Sequence, residues 1–116
     1  MNLRDKQIKD WFASDITDAI KGGICSPKEI AHSYIDFVRT TDSGIDAWEQ
    51  FEESVILKDI DEGINQKGSL AGVPLAVKDV FNTKDYMTQM GSDIWKGFTP
   101  GNNARVIDHI LWEGAF

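Results

Sequence analysis

One lysine stands where the residue types could support chemistry. Lys78 follows the apolar run Leu75-Ala76-Val77, and after Asp79 the apolar pair Val80-Phe81 resumes. We expect a lysine in these surroundings to be at least partly buried. Burial disfavours the ammonium form, and a neutral lysine can act as a general base near neutral pH. The sequence therefore predicts Lys78 as a candidate catalytic base.

An alternative interpretation of Lys78 involves no catalysis. A lysine at the end of a strand can extend its amine into water and pair with the adjacent Asp79. Local sequence by itself favours this second interpretation. Asp79 could orient Lys78, but we expect it to bind backbone amide groups in a structural role.

Other reactive or ligand-binding side chains lack suitable partners in the sequence. Ser92 follows Gly91 without the pattern of a nucleophile elbow, which indicates a structural loop serine. His32 and His109 have no partner at metal-binding or triad spacing. An acidic cluster lacks the spacing of a calcium-binding loop and is expected to be a solvated surface: Glu49, Glu52, Glu53, Asp59, Asp61 and Glu62. We therefore expect neither a metal nor a cofactor.

Residues 1–68 are expected to be mainly helical. The clearest signal is Ser26-Pro27-Lys28-Glu29, a capping box with proline at the first helical position. Apolar residues then recur at helical spacing from Ile30 to Val38. The predicted elements are helices over 3–12, 16–21 (capped by Ser14 or Asp15 and ended by Gly22-Gly23), 27–40 and 54–68 (capped by Ser54), and a short strand that includes Ala47, Trp48 and Phe51.

Residues 69–116 are expected to hold the lysine segment, a loop and a helix. A turn ending at Pro74 leads into a predicted strand over residues 75–77. Residues 83–101 are rich in glycine and proline and indicate an irregular loop. The last helix is expected to be capped by Asn102 or Asn103, to bury Ile107, Ile110 and Leu111, and to end at Gly114. This order of elements predicts an α/β unit.

Composition limits the classes of function. The chain has 116 residues, of which 41% are hydrophobic and 27% charged, which is typical of one globular domain. Its formal net charge of -7 argues against direct binding to nucleic acid or to an anionic membrane. Cys25 is the only cysteine, so an internal disulfide is excluded and a reduced, cytoplasmic location fits best. No secretory signal or membrane-spanning run is found.

An ordered series of motifs resembles the amidase-signature family over roughly residues 16–116. The segment around Lys78 resembles the catalytic-lysine pattern of that family. Asn103 departs from the usual aspartate, but asparagine serves equally well as a helix N-cap. The motifs that carry the resemblance are Ser26-Pro27-Lys28-Glu29-Ile30, Gly72-Val73-Pro74 with Val77-Lys78-Asp79, Thr88-Gln89-Met90-Gly91-Ser92, Pro100 with Asn103-Ala104-Arg105-Val106, and Trp112-Glu113-Gly114-Ala115.

The resemblance implies a fold and a reaction. The fold is the N-terminal part of the amidase-signature fold, an α/β architecture with helices packed on a mixed sheet, and residues 1–116 would be an incomplete fragment of a single amidase domain. The reaction is hydrolysis of an amide by a Ser-cisSer-Lys relay, in which Lys78 accepts a proton from the bridging serine. The family's two serines lie in a Gly-Ser-Ser-Gly-Gly type loop after the lysine, and no such loop occurs here. We therefore expect the isolated chain to be inactive.

Three interpretations remain open at this point. The chain could be part of an amidase acting on a small-molecule amide. It could be a half-enzyme subunit completed by another chain, or the A-subunit type of a transfer-RNA-dependent amidotransferase. It could also be a non-catalytic interaction domain, and a homodimer is compatible with each. A fragment with two or three strands should expose apolar edges and aggregate or be loosely ordered alone.

Overall fold

The computed structural model describes residues 7–116 and contains four α-helices in that range. The predicted helix over residues 3–12 lies partly outside the described residues, and within them only a 3-10 turn is formed. The helices are α1 (Ala13–Lys21), α2 (Pro27–Thr41), α3 (Glu53–Glu62) and α4 (Arg105–Trp112), and short 3-10 helices span Ile8–Asp10, Asp42–Gly44 and Asp93–Trp95. Turns and irregular segments connect them.

The first helix, α1, begins earlier than the sequence predicts. Phe12 is its N-cap, and its backbone N–H donates to the Asp15 carboxylate at 2.9 Å. Asp15 therefore caps the helix from inside its first turn, and Ser14 does not act as the cap. At the other end Gly23 has φ +67, and the Ile24 N–H donates to the Ala19 carbonyl at 2.8 Å. This is a Schellman motif, which confirms that the glycine pair ends α1.

The second helix, α2, confirms the predicted capping box. The Ser26 N–H donates to the Glu29 carboxylate at 2.8 Å, and the Glu29 N–H donates to the Ser26 hydroxyl at 3.2 Å. Pro27 occupies the first helical position because its missing N–H would have no partner there. The helix ends at Thr41, one residue after the predicted end.

The third helix, α3, is shorter than predicted. Its N-cap is Glu52, so Ser54 lies inside the first turn. Gly63 has φ +102 and cannot continue a right-handed helix. The helix therefore ends at Glu62, and the predicted extension to Gly68 was wrong.

Helices α2 and α3 form an antiparallel pair. Arg39, near the end of α2, binds Glu53 at the start of α3. Lys28, at the start of α2, pairs with Asp61 near the end of α3 at 3.0 Å. Exposed ion pairs contribute little stability, but these two contacts show that the end of each helix lies beside the start of the other.

A small core joins α1 and α2 to the segment that precedes Lys78. The buried members of the core cluster are Ile16 and Ile20 of α1, Ile30 of α2, and Ala71. Val73 and Phe116 pack against this cluster and are partly buried. The helical half of the chain therefore positions the segment that leads to Lys78.

The structure contains no strand within residues 7–116, so the strands predicted at 47–51 and 75–77 are not formed there. The physical reason is the lack of a neighbouring ladder, because a strand is defined by its pairing. Among the described residues, Phe116 makes the only such contact with the second segment. Its N–H donates to the Val73 carbonyl at 3.1 Å, and its carbonyl accepts from the Leu75 N–H at 2.7 Å.

The loop and the last helix largely follow the prediction. Residues 83–101 are irregular apart from the 3-10 turn Asp93–Trp95. The N-cap of α4 is Ala104, so the predicted capping by Asn102 or Asn103 was wrong. The Asn103 side chain binds the Lys84 N–H instead, and Ile107 is buried. Ile110 and Leu111 are half-buried rather than buried. None of the helices within residues 7–116 has the length and apolarity needed to cross a membrane.

Candidate active site

The candidate base, Lys78, is exposed to solvent. Within residues 7–116 its amine makes no hydrogen bond and no ion pair, so the pairing with Asp79 is not observed either. Exposure alternates along this segment: Leu75, Val77 and Asp79 are half-buried, whereas Ala76, Lys78 and Val80 are exposed. The expected partial burial of Lys78 was wrong because the alternation of extended backbone turns it outward.

A tight turn follows Lys78. The Lys78 carbonyl accepts the N–H groups of Val80 at 2.7 Å and Phe81 at 3.1 Å. This turn fixes the backbone of the lysine although its side chain is free. Lys78 is therefore presented at the end of the segment that packs against the core.

Asp79 connects this turn to the next loop. Its carboxylate accepts the Gln89 N–H at 2.8 Å, which is the structural role expected for it. The Gln89 side chain continues the link, because its carbonyl oxygen accepts the Gly97 N–H at 2.8 Å and its amide nitrogen lies 3.4 Å from the Glu49 carboxylate. Gln89 thus fastens both sides of the 88–98 loop.

Two further amide side chains secure the same region. Gln50 donates to the Met87 carbonyl at 2.8 Å and accepts the Met87 N–H at 2.9 Å, so it pairs with that backbone as a strand would. Asn103 accepts the Lys84 N–H at 2.8 Å and donates to Asp108 at 2.9 Å. Sequence reasoning missed Gln50 and Gln89, and an isolated glutamine carries no signal of a contact nearly forty residues away in sequence, as between Gln50 and Met87.

A polar cavity of about 280 Å³ lies beside the Asp79–Gln89 link. Ser92 is half-buried at its wall, and its hydroxyl makes no hydrogen bond within residues 7–116. Met90 and Gly91 have φ +56 and +64, so the loop turns sharply just before the serine. The cavity is lined by Glu49, Asp79, Gln89, Gly91, Ser92, Asp93 and Lys96. Lys96 lines the same cavity but makes no hydrogen bond to the Ser92 hydroxyl, so this serine has no activating hydrogen bond in the described part of the chain.

Three glycines allow close packing around the segment that precedes Lys78. A Cβ atom at Gly68 would lie 2.0 Å from the Glu113 carbonyl oxygen, and one at Gly114 would lie 2.2 Å from the Asn65 carbonyl oxygen. Gly72 has φ +74, and a Cβ there would lie 2.6 Å from Ile20 Cγ1. These three glycines let the segment approach α1 and the end of α4.

Other candidates from the sequence remain outside this site. His109 stacks on Trp112, with ring centroids 5.1 Å apart, and His32 is exposed. Across residues 7–116 no group of three histidine, cysteine or acidic side chains is arranged to hold a metal ion. In the acidic cluster, Glu53 and Asp61 are paired with α2 as described above.

Burial and the nearby Asp59 carboxylate raise the pKa of Tyr86 to about 12.

A protein-family model matches the part of the chain that contains the candidate site. The model described as Amidase matches residues 30–116, three quarters of the chain, and includes Lys78, the loop after it and α4. The chain belongs to the amidase family. This confirms the family resemblance that the ordered motifs indicated.

Curated amidase-family relatives extend the match along most of the chain. The A-type subunit of the mitochondrial glutamyl-tRNA(Gln) amidotransferase of Homo sapiens is 31% identical over 107 residues, covering 87% of this chain and 20% of the relative. The corresponding A-type subunit of Tropheryma whipplei (strain Twist) is 38% identical over 109 residues, covering 89% and 21%. The chain thus spans about a fifth of the length of these curated relatives.

Solved structures show the same fold at lower identity. Two structures of a vestigial protein complex, linked to the evolutionary origins of an s-triazine catabolic enzyme, match with TM-scores of 0.74 and 0.73. Their sequence identities are 20% and 22%, and the match covers 90% of this chain and 24% of each matched chain. The arrangement of residues 7–116 therefore corresponds to a part of the amidase fold.

Proposed function

We propose that residues 1–116 are the N-terminal part of a single amidase domain that hydrolyses carbon–nitrogen bonds, and that Lys78 is the base of its Ser-cisSer-Lys relay. The observation that carries the proposal is the family match over residues 30–116, a range that includes Lys78 and the motifs that follow it. In this proposal residues 1–68 form the mainly helical support, and residues 69–116 supply the lysine, a loop and a helix.

The geometry of Lys78 is compatible with this role. Its backbone is fixed by the turn to Val80 and Phe81, and its amine is free within residues 7–116. A lysine accepts a proton only in its neutral form, which burial favours. Covering of this face by the rest of an amidase domain would supply both that burial and the two serines. The relay would then move a proton from the nucleophile through the bridging serine to Lys78, and return it to the leaving nitrogen.

The surface around Lys78 supports a completing partner. Seven large apolar side chains of the lysine turn and the following loop are exposed, and exposed apolar residues can form an interaction site where they lie together. They are Val80, Phe81, Met87, Met90, Ile94, Trp95 and Phe98. We propose that the missing part of the mixed sheet and its covering layer pack here, from the same polypeptide or from a complementing chain.

The substrate class is proposed from the relatives. A small-molecule amide is the general substrate, because the relay acts on the amide group itself. The A-subunit role in a transfer-RNA-dependent amidotransferase is the second candidate, since curated relatives with 31% and 38% identity carry that description. With a net charge of -7, we propose that this chain makes no direct contact with nucleic acid and works in the cytoplasm. A homodimer remains compatible with the proposal.

A complementation experiment tests the proposed role of Lys78. The chain is joined at Phe116 to the part of the Tropheryma whipplei relative that follows the matched region, and ammonia release from glutamine and from simple primary amides is measured. Lys78→Ala should lower turnover by about two to four orders of magnitude, the usual contribution of a positioned base. Lys67→Ala removes an exposed lysine outside the site and should leave turnover unchanged.

The unextended chain is the second control. It should release no ammonia, because it lacks the serine loop. Lys78-dependent turnover by the unextended chain would contradict the proposed relay. Equal activity of the fused protein with and without Lys78 would remove the lysine from the mechanism and favour a non-catalytic interaction domain.

A further inference from the structure

The backbone between Val73 and Val77 has an edge that is only partly used. The Val73 carbonyl and the Leu75 N–H are both bonded to Phe116, at 3.1 and 2.7 Å. The next two groups on the same edge, the Leu75 carbonyl and the Val77 N–H, have no backbone partner within residues 7–116. The edge therefore offers two consecutive pairs of hydrogen-bonding groups. Within residues 7–116 only the first pair, the Val73 carbonyl and the Leu75 N–H, has a backbone partner.

The hydrogen-bond pattern gives the direction of the pairing. One residue that donates to position i−1 and accepts from position i+1 is the repeating unit of a parallel ladder. Phe116 does this around Pro74. Two earlier bonds run in the same direction, from the Leu70 N–H to the Glu113 carbonyl and from the Gly72 N–H to the Gly114 carbonyl, both at 2.9 Å. The two segments thus advance together toward Phe116.

We propose that the Val73–Val77 edge is the docking site for a parallel strand joined directly to Phe116. The register follows from the filled position. The second residue after Phe116 would donate to the Leu75 carbonyl and accept from the Val77 N–H, and would lie opposite Ala76. The occupant is apolar at its first and third residues after Phe116, because these would lie opposite the half-buried Leu75 and Val77. Relatives about five times longer than this chain have polypeptide to supply such a strand.

The same register has a consequence for the candidate active site. In a parallel ladder, residues opposite each other point to the same face. The fourth residue after Phe116 would lie opposite Lys78 and beside its exposed side chain. A docked strand would therefore lie beside Lys78. This inference deepens the proposed function, but the register itself does not depend on that function, because it follows from backbone hydrogen bonds alone.

Short C-terminal extensions test the register without any activity measurement. The full chain is extended after Phe116 by Val-Thr-Val-Thr, which places valine opposite Leu75 and Val77, and hydrogen exchange of the Val77 N–H is compared with that of the unextended chain. One added hydrogen bond of about 1 kcal/mol corresponds to roughly fivefold slower exchange. Two matched variants place proline at the first or the second added position. Only the second removes an N–H that the register directs at Leu75.

The expected result is slower exchange at Val77 with the plain extension and with proline at the first position, and no slowing with proline at the second position. Equal effects of the two prolines, or no slowing in any extended chain, would overturn the proposal. The Leu75 N–H is the internal reference because it is already bonded to Phe116. If Leu75 exchanges freely in every variant, the edge does not exist in solution and the proposal fails as well.

Discussion

Two glycines with the same backbone angle offer a test of how the lysine segment is packed. Gly72 and Gly101 both have φ +74. A Cβ at Gly72 would lie 2.6 Å from Ile20 Cγ1 and 3.1 Å from Ile20 Cδ1, whereas a Cβ at Gly101 would meet no atom within 4 Å. Substitution by alanine therefore places an L-residue at positive φ at both sites, and creates a steric overlap at only one.

The magnitudes follow from these two terms. A left-handed conformation costs an L-residue about 1–2 kcal/mol relative to glycine, so Gly101→Ala should lose about that much stability. Overpacking against a buried side chain adds about 1–3 kcal/mol. Gly72→Ala should therefore lose about 2–5 kcal/mol, since Ile20 is only 5% exposed and cannot move into solvent.

Equilibrium unfolding in denaturant, followed by tryptophan fluorescence, measures both losses. A double variant isolates the overlap, because Ile20→Ala removes both atoms that the new Cβ would meet. The loss caused by Gly72→Ala should be about 1–3 kcal/mol smaller in that background than in the parent chain. Losses at Gly72 and Gly101 that agree within about 0.5 kcal/mol would refute the packing argument.

Two other predictions concern the helical part and alkaline pH. Ser26→Ala removes the acceptor of the Glu29 N–H and should lower stability by about 1 kcal/mol, while Ser43→Ala, at an exposed site, should change it by less than about 0.5 kcal/mol. The pKa of Tyr86 is raised to about 12, so the folded state retains this proton longer than the unfolded state does. Stability should therefore be complete below the ordinary tyrosine pKa and be lost as pH rises toward 12, and Tyr86→Phe should flatten that loss in unfolding experiments. An unchanged alkaline slope in Tyr86→Phe would mean that Tyr86 is not responsible, and phenolate absorbance would then show whether Tyr34, whose pKa is also raised, titrates instead.

Exposed apolar side chains explain why the isolated chain is expected to be difficult to handle. Ile94 is 89% exposed and Trp112 is 65% exposed, on the loop and on α4 respectively. The Leu75 carbonyl and the Val77 N–H, which have no backbone partner within residues 7–116, add a second site for association between chains. Both features fit a chain that represents about a fifth of the length of its relatives.

Local signals in the sequence determined the helix ends that depend on neighbouring residues. The capping box at Ser26 and Glu29 and the glycine pair after α1 each satisfy helix-end hydrogen bonds through residues a few positions apart, so their patterns are readable without a structure. The ordered motifs around Lys78 likewise determined the family, because they lie in one continuous part of the chain.

Only the tertiary structure decided the surroundings of Lys78. The apolar residues beside it predicted burial, but its exposure depends on which face of the segment packs against α1, and that contact is long-range in sequence. The strand predicted at 75–77 depends in the same way on a partner, and within residues 7–116 only Phe116 forms backbone hydrogen bonds along its edge. The sequence by itself determined the residue types of the site. The packing of distant segments decided that the backbone of Lys78 is fixed while its side chain is exposed to solvent.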